Sequence, residues 1–357
     1  MADEQSRSAG ASPGGNRRPG GGRRARIVAV VAGAAVVGGG IWFAVAGGGG
    51  SPAPPPPPTS PSPTSPAPPP HPSPSPAPTV NPLTGQGKSG GHVIAVKIDN
   101  VGDAQFQQSG LNSADLVYVI QVEGGLSRYL VVFDSSHASV RVGPVRSARQ
   151  TDIPLLAPYG RVGLVYSGAI SGLKPDLAAA NLQTINPIQH NNLFSNGGSS
   201  PTYIRTGQIF SAFPNLAQTK DVGFRFGPEP AGGTGASSVR AKMPAASFVF
   251  TASGAKWLVT VDGHALNTID AGQADTDNVI IQHVHVVPGK YTDHNAGHAD
   301  NEVFSQTTGS GSADFYRDGK VWHGQWSKPN DNAPTSYTVG GKPMNLTPGR
   351  TWIVLEG

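Results

Sequence analysis

VIAVKIDN, residues 93–100, is the segment from which the fold class is inferred most directly. It is a short run of mainly apolar, β-branched residues, and it ends in Asp99 and Asn100. A half-exposed strand would alternate apolar and polar side chains, whereas this run stays apolar along most of its length. The pattern predicts a strand that is buried on both faces, as in a sheet covered by other layers.

Similar apolar runs follow VIAVKIDN along the first half of the chain. They are residues 116–122, 129–133 and 161–166. Residues 148–156 and 174–182 look helical, and Pro175 suits the first turn of the second helix. Buried strands with helices between them predict an α/β domain over residues 80–230.

The second half of the chain has the pattern of β structure. Its strand-like runs are residues 248–250, 257–261, 279–287, 313–316, 321–326 and 351–355. Asp262-Gly263 and Asp318-Gly319 separate such runs and are typical of two-residue hairpin turns. A glycine-rich stretch, residues 227–238, is the best internal boundary. We therefore predict a mainly β domain over residues 240–357.

The N-terminal region predicts a membrane segment. Residues 27–46 form an unbroken apolar run that is just long enough to cross a bilayer as a helix. The arginines of residues 1–26 predict that this basic tail stays in the cytoplasm. Ala44-Val45-Ala46 also matches the small residues that signal peptidase cuts. An uncleaved anchor in the cell membrane and a cleaved signal segment are both open, and we favour the anchor.

Residues 47–79 predict a disordered linker between the membrane and the folded domains. A glycine run is followed by a stretch built almost entirely of Pro, Ser, Ala and Thr. Proline lacks a backbone donor and fixes φ, so the stretch favours polyproline II at about 3.1 Å per residue. This stalk would hold the C-terminal domains outside the cytoplasm. Cleavage after Ala46 would instead release them as a secreted protein.

Charge and composition exclude several classes of protein. The net charge of +4 arises in residues 1–26, which carry six arginines against Asp3 and Glu4. The remaining chain is neutral, so we expect no nucleic-acid partner. Because cysteine is absent, disulfides and lipid attachment through an N-terminal cysteine are excluded. The sequence shows no phosphate-binding loop, and we predict no cofactor.

Carboxylates at strand ends are the first candidates for chemistry. Asp99, Glu123 and Asp134 directly follow apolar runs, and ligands of open α/β sheets bind beyond the carboxyl ends of strands. A pair of them could act as general acid and base. Alternatively, each caps a turn. Glu123 is the best candidate, because glycines follow it and Arg128 lies close in sequence.

The string GPVRSAR, residues 143–149, is the second candidate. On a helix, Arg146 and Arg149 would project from one side, and their guanidinium groups suit a carboxylate, a phosphate or a sugar acid. Alternatively, the two arginines pair with carboxylates such as Glu123 and hold the fold. Ser147 lacks the Gly-x-Ser-x-Gly context of a nucleophile, so we do not assign it that role.

Histidines and tryptophans of the second half are weaker candidates. His283 and His285 alternate on one predicted strand, so their side chains would share a face. With the loop residues His294 and His298 they could ligate zinc, but the loop spacing fixes no geometry, and we predict no metal site. A pair of tryptophans four residues apart, Trp322 and Trp326, suits sugar stacking, although core packing is favoured.

Several strings together resemble the YerB-like lipoprotein family, which carries a domain of unknown function and belongs to bacterial envelopes. They are NPLTG (81–85), VKIDN (96–100), QSGL (108–111), ADLVY (114–118), VEGG (122–125), GPVRSAR (143–149), RDGK (317–320) and LTPG (346–349). The resemblance implies two domains and an envelope location, but it brings no activity, substrate or catalytic residue. Members often carry a lipidated cysteine. Here an apolar segment replaces it, as expected for a membrane-anchored member of the actinobacterial type.

These patterns lead to one functional prediction and one alternative. We predict an envelope protein that binds an anionic cell-wall polymer or an envelope protein. Its ligand-binding residues would be Asp99, Glu123, Arg128, Arg146 and Arg149. The alternative is a hydrolase or transferase acting on the cell wall, with Glu123 and an aspartate as acid and base. The sequence assigns no catalytic residue and leaves open whether the chain is an enzyme.

Overall fold

The computed structural model describes residue 55 and residues 80–88, 90–293 and 300–357. The predicted tail (1–26), the predicted membrane segment (27–46) and the linker (47–79), except for residue 55, lie outside the described residues. Within the described part of the chain, no helix is both long enough and apolar enough to span a bilayer.

The first half is an α/β region, as predicted. Its strands are β1 (Val93–Asp99), β2 (Leu116–Gln121), β3 (Ser127–Asp134), β4 (Arg141–Val142), β5 (Val162–Val165), β6 (Leu182–Ile185) and β7 (Ile204–Arg205). Its α-helices are α1 (Asp152–Leu156), α2 (Lys174–Ala179), α3 (Pro187–His190) and α4 (Thr206–Ala212). Single 3-10 turns lie at Gly102–Phe106, Leu111–Ser113, Glu123–Gly125, Ala157–Tyr159, Ser171–Leu173, Asn191–Leu193 and Ser195–Gly198.

The second half is mainly β, also as predicted. Its longer strands and short bridging strands are β8 (Arg225–Phe226), β9 (Thr234–Gly235), β10 (Ser238–Met243), β11 (Ala246–Ser253), β12 (Lys256–Val261), β13 (His264–Ala265), β14 (Asn267–Thr268), β15 (Gly272–Gln273), β16 (Asp275–Thr276), β17 (Asn278–His283), β18 (Val286–Asp293), β19 (Asp300–Ser305), β20 (Gly309–Arg317), β21 (Lys320–Lys328), β22 (Ser336–Val339), β23 (Lys342–Pro343), β24 (Asn345–Leu346) and β25 (Thr351–Glu356).

Strands from both halves form one 12-stranded sheet. Its order is β23-β22-β21-β20-β17-β25-β2-β3-β1-β5-β6, and β9 pairs with β21 at the side. The C-terminal strand β25 lies parallel to β17 on one side and to β2 on the other, so that Trp352 pairs with Val117. The regions predicted as separate domains are therefore joined through a shared sheet.

This main sheet is covered on both faces, as the apolar runs predicted. Ile94, Val96 and Ile98 belong to a core that includes aromatic residues of a second sheet, formed by β10–β13 and β16. Val93 and Ala95 face the opposite core, to which the helices contribute Leu155, Leu156 and Leu177. Full burial of each large apolar side chain contributes roughly 1.5–3 kcal/mol. The result is a layer of β-strands, the main sheet and a layer of short helices.

The predicted hairpin turns at Asp262-Gly263 and Asp318-Gly319 are confirmed. Asp262 and Asp318 both have φ of 49°, and the glycines that follow have φ of 85° and 71°. Positive φ at both central residues defines the type I′ turn, whose twist matches that of the strands it joins.

The helix predicted over residues 148–156 is shorter than expected, because α1 begins only at Asp152. The preceding segment is extended, since its backbone N–H groups bond to other parts of the chain. Arg146 N donates to the Lys97 carbonyl at 2.9 Å, and Ala148 N donates to the Gly168 carbonyl at 2.9 Å. These bonds replace the helical ones, so the prediction that Arg146 and Arg149 lie on a helix was wrong.

The prediction of one strand through residues 279–287 was also wrong. Strand β17 ends at His283, and β18 begins at Val286. The chain changes pairing partner between them, because the Gln306 N–H donates to the His285 carbonyl at 2.9 Å. His283 and His285 therefore do not alternate along a single strand.

Candidate functional site

Five predicted binding residues meet at one edge of the main sheet. Strands β1 and β2 both run antiparallel to β3, so their carboxyl ends lie at the same edge. Asp99 ends β1 opposite Arg128 of β3, and Glu123 follows β2. The extended segment before α1 brings Arg146 and Arg149 to this edge. We call these five residues the strand-end cluster.

Two ion pairs hold the strand-end cluster together. Arg146 Nε lies 3.0 Å from Asp99 Oδ2, although its N–H is not aligned as a hydrogen bond. Arg149 Nη2 donates to Glu123 Oε2 at 2.8 Å, and Arg149 Nε lies 2.5 Å from Glu123 Oε1. The interpretation that both arginines pair with carboxylates of the fold is confirmed.

A fully buried ion pair supports the cluster from beneath. Lys97 Nζ donates to Asp152 Oδ1 at 2.7 Å, and both side chains are completely buried. The other oxygen, Asp152 Oδ2, accepts from the Arg149 backbone N–H at 2.7 Å. Burial lowers the pKa of Lys97, while the charge and hydrogen bond of Asp152 act in the opposite direction. The pair thus anchors the start of α1, and residues 146–149 before it, to β1.

Arg128 is the cluster residue that lacks such a partner. It is only 9% exposed. No carboxylate in the described ranges forms an ion pair with it, and its Nε has no acceptor there. Its contact with the Ser147 carbonyl is 3.5 Å long, which is weak for a hydrogen bond. Burial, followed by the charge of Arg149, lowers the pKa of Arg128 to about 10.

Glu302 of β19 adds a carboxyl group beside the cluster. It is fully buried, and its Oε1 accepts from the Gln150 backbone N–H at 2.6 Å. Burial raises the pKa of Glu302 to about 7; the Gln150 hydrogen bond and the charge of Arg149 oppose this rise, and Glu123 adds to it. The protonation state of Glu302 therefore changes near neutral pH.

Glu123 is poorly suited to act as a general base. Burial acts to raise its pKa, but the hydrogen bond and charge of Arg149 outweigh burial, so the pKa is lowered. Both of its oxygens face Arg149. A carboxylate held in this way stays ionised and accepts a proton reluctantly.

Asp134 does not join the other strand-end carboxylates. Because β3 runs antiparallel to β1 and β2, its carboxyl end lies at the opposite edge of the sheet. Asp134 therefore cannot pair with Asp99 or Glu123 as acid and base, and its Oδ1 instead accepts from the Ser136 N–H of the following turn, in line with the turn-capping alternative.

The remaining candidates of the second half serve packing or surface pairing. Trp322 and Trp326 share a face of β21 and are 2% and 3% exposed, so core packing is confirmed. His283 contacts Asp314 at 3.2 Å and Glu356 at 3.3 Å. His294 and His298 lie outside the described residues.

Sequence reasoning overlooked two charged residues of this region. Lys97 is a charged side chain inside the apolar run of a strand buried on both faces, and a buried charge requires a partner. That signal was available in VIAVKIDN. Glu302 gave no such signal, because it reaches the cluster only through the fold, 150 residues after Asp152.

Family comparison covers most of the chain. The N-terminal domain of "Protein of unknown function (DUF3048)" matches residues 81–220, and the C-terminal domain of the same family matches residues 238–353. The chain belongs to the DUF3048 family. The resemblance inferred from the motifs is therefore confirmed, and the two matched segments of this DUF3048 protein leave residues 221–237 between them.

YerB of Bacillus subtilis is similar to this DUF3048 protein in sequence and in structure. "Putative lipoprotein YerB" of strain 168 is 34% identical over 95 residues, which are 27% of this chain and 28% of YerB. The alignment thus spans less than a third of that relative's length. The crystal structure of YerB from Bacillus subtilis covers 77% of this chain and 96% of its own, with a TM-score of 0.63 and 21% identity. The structural likeness establishes a shared fold.

Proposed function

We propose that this DUF3048 protein is an extracytoplasmic envelope protein that binds a carboxylate of an anionic cell-wall component or of an envelope partner. The ligand would contact Arg128 and Arg146 of the strand-end cluster. This function needs no cofactor and no catalytic residue.

The buried, unpaired guanidinium of Arg128 is the observation that carries the proposal. Removing a charge from water costs several kcal/mol unless an opposite charge compensates it. The two carboxylates of the cluster face other arginines, Arg146 and Arg149. An incoming carboxylate would supply the missing counter-charge, and a guanidinium group can bind it through two parallel hydrogen bonds.

Arg146 is the part of this site that a ligand can reach from solvent. Its side chain is 44% exposed, whereas the side chain of Arg149 is 8% exposed. The cluster contains three guanidinium groups and two carboxylates, and the Lys97–Asp152 pair beneath it is neutral. Glu302 beside the cluster carries no charge when it is protonated, below its pKa of about 7. The local excess of positive charge favours an anion over a neutral sugar.

The envelope location rests on the sequence and on the relative. The basic tail, apolar run and Pro-rich linker predict a single-pass anchor at residues 27–46, with a secreted form as the alternative. YerB of Bacillus subtilis carries the description of a lipoprotein. An anchored protein with a long stalk is suited to reach cell-wall polymer from the membrane.

Binding to cell-wall fragments tests this function. The full-length protein in detergent is titrated with soluble peptidoglycan fragments that carry free carboxylates. We expect Arg128→Gln to lose at least about tenfold in affinity, because a charged hydrogen bond contributes roughly 1.5–3 kcal/mol. Arg146→Ala should weaken binding less, since its side chain remains partly solvated.

Arg240→Ala is the matched control. Arg240 is exposed on β10 of the second sheet, so its loss removes one positive charge without touching the cluster. Equal affinities for the wild type and Arg128→Gln would contradict binding at the strand-end cluster. Neither the wild type nor any variant should bind amidated fragments tightly, because these fragments lack the carboxylates.

The enzymatic alternative receives less support from the geometry. It needs Glu123 to accept a proton, but Arg149 keeps this carboxylate ionised. Glu302 has the raised pKa of a general acid, yet it is fully buried. The hydrolase would be favoured over the binding module if the wild type breaks down peptidoglycan and the Glu123→Gln variant does not.

A further inference from the structure

A cavity of about 720 Å³ lies at the opposite edge of the main sheet. Asp115 and His137 line one wall, and Asn81, Lys256 and Arg350 are among the residues that complete it. The motif strings around Asn81 and Asp115 therefore converge here rather than at the strand-end cluster.

Three potential metal ligands lie together at this wall. One ligand atom each from Asp115, Asp134 and His137 lies within 4.8 Å of the other two. His137 Nε2 is 3.0 Å from Asp115 Oδ1. Asp115 precedes β2, Asp134 ends β3, and His137 follows in the next turn, so the fold brings together residues that the sequence separates.

The charges of this group do not balance. Asp115 is 1% exposed and Asp134 is 0% exposed. Among the described residues, His137 is the sole ion-pair partner of Asp115, and Asp134 has none. Asp134 accepts instead from neutral donors, which include the backbone N–H groups of Gly90 and Ser136. Within ion-pair distance, the two buried carboxylates thus meet at most one positive charge, that of His137, while Arg350 acts on Asp115 from further away. Two buried carboxylates with one close counter-charge are costly without further compensation.

The donor set suits a divalent transition metal. Carboxylate oxygens favour Mn²⁺, and imidazole nitrogen favours Zn²⁺ and neighbouring metals. Ligands about 2.1 Å from a metal stand roughly 3 Å apart along an octahedral edge, which matches the separation of His137 and Asp115. The cavity lies on the exposed side of His137, where water or a ligand can complete the coordination.

Hydrogen bonds already orient the two carboxylates. Asn81 Nδ2 donates to Asp115 Oδ1 at 3.0 Å, and the Asp134 backbone N–H donates to Asp115 Oδ2 at 2.7 Å. Ser136 N donates to Asp134 Oδ1 at 2.8 Å. Such outer contacts are typical of metal sites, where they fix the ligands and strengthen binding.

We propose that Asp115, Asp134 and His137 bind one divalent cation, Mn²⁺ or Zn²⁺, at the wall of this cavity. The cation would lie between the three side chains and replace the hydrogen bond that now joins Asp115 and His137. This site is separate from the strand-end cluster and does not depend on the function proposed for it.

Calorimetric titration of the untagged full-length protein in detergent tests the proposal. We expect MnCl₂ or ZnCl₂ to bind at one site per chain, and His137→Ala to abolish that binding. His283→Ala is the matched control, since His283 also lies between two carboxylates, Asp314 and Glu356. The control should bind as the wild type does.

Three results would overturn the proposal: no binding of either ion at millimolar concentration, unchanged binding by His137→Ala, or loss of binding in His283→Ala. Should His137→Ala fail to fold, Asn81→Ala replaces it as the test. Asn81 orients Asp115 without being a ligand, so we expect an affinity about tenfold weaker. An unchanged affinity in that variant would equally contradict the site.

Discussion

The buried pair of Lys97 and Asp152 shows how single residues constrain this fold. Both side chains are fully buried, and the lysine is flanked on both sides by apolar residues of β1. A buried ion pair adds little net stability compared with an apolar pair, but removal of one partner leaves the other charge uncompensated. The pair holds residues 146–149 beside β1.

Asp152→Ala should therefore lower the free energy of unfolding by about 3–5 kcal/mol. The variant leaves Lys97 buried without a counter-charge and removes the acceptor of the Arg149 backbone N–H. Urea unfolding followed by circular dichroism measures the loss. The double variant Lys97→Met, Asp152→Asn should lose less than Asp152→Ala. A double variant that is less stable than this single variant would show that the ion pair itself stabilises the fold.

At the scale of elements, the β18–β19 hairpin connects the second half to the strand-end cluster. Glu302 of β19 accepts a hydrogen bond from Gln150, and Lys290 N of β18 donates to Gln150 Oε1 at 2.9 Å. The Tyr291 hydroxyl bonds to the Asp176 carboxylate. Hydrogen bonds to Gln150 and to Asp176 thus hold this hairpin against the α/β region, and one of them involves a buried carboxyl group.

The raised pKa of Glu302 predicts a pH-dependent stability. Its pKa is about 7 in the folded protein, whereas the ordinary pKa of a glutamate side chain is about 4.5. The folded state therefore binds more protons between these values, so stability falls as pH rises from about 4.5 to 7. With allowance for solvent screening, the loss is on the order of 1–3 kcal/mol.

Urea unfolding of the wild type and Glu302→Gln at pH 5 and pH 8 measures this effect. The glutamine keeps an acceptor for the Gln150 N–H and cannot ionise. We expect the wild type to lose more stability than the variant between the two pH values. An identical loss in both proteins would show that Glu302 does not titrate in this range.

At the scale of the whole molecule, the C-terminal strand makes the two matched segments interdependent. β25 lies between β17 and β2, and Trp352 packs edge-on against Tyr129 of β3 and Phe250 of β11, with ring centroids 5.4 and 5.8 Å apart. One aromatic side chain thus links the main sheet, the second sheet and both halves of the sequence.

A fragment of residues 80–230 should not fold alone, although the sequence predicts a domain with these bounds. Without β25, β2 becomes an edge strand, and its apolar residues lose one neighbouring strand. We expect no cooperative thermal transition by circular dichroism and rapid proteolysis. A fragment of residues 80–357 is the control and should unfold cooperatively. A sharp transition in the shorter fragment would show that the shared sheet is dispensable.

Much of the local structure follows from short-range patterns. Continuous apolar runs identify β1, β2, β3 and β5. In a strand covered on both faces, successive side chains point into one core or the other, so most of them are apolar. The Asp-Gly pairs identify the type I′ turns, because glycine accepts positive φ without steric cost. The apolar run, the linker and the absence of cysteine are read from the sequence alone, and they carry most of the argument for the proposed envelope location.

Which charged residues contact one another depends on the tertiary structure. The direction of β3 placed Asp134 at the far edge with Asp115 and His137, and backbone bonds to neighbouring segments replaced the predicted helix around Arg149. Glu302 joined the cluster through a hairpin that lies far away in sequence. Strand direction, register and burial depend on packing between distant segments. A local pattern therefore shows that a residue is charged, but not which counter-charge it meets.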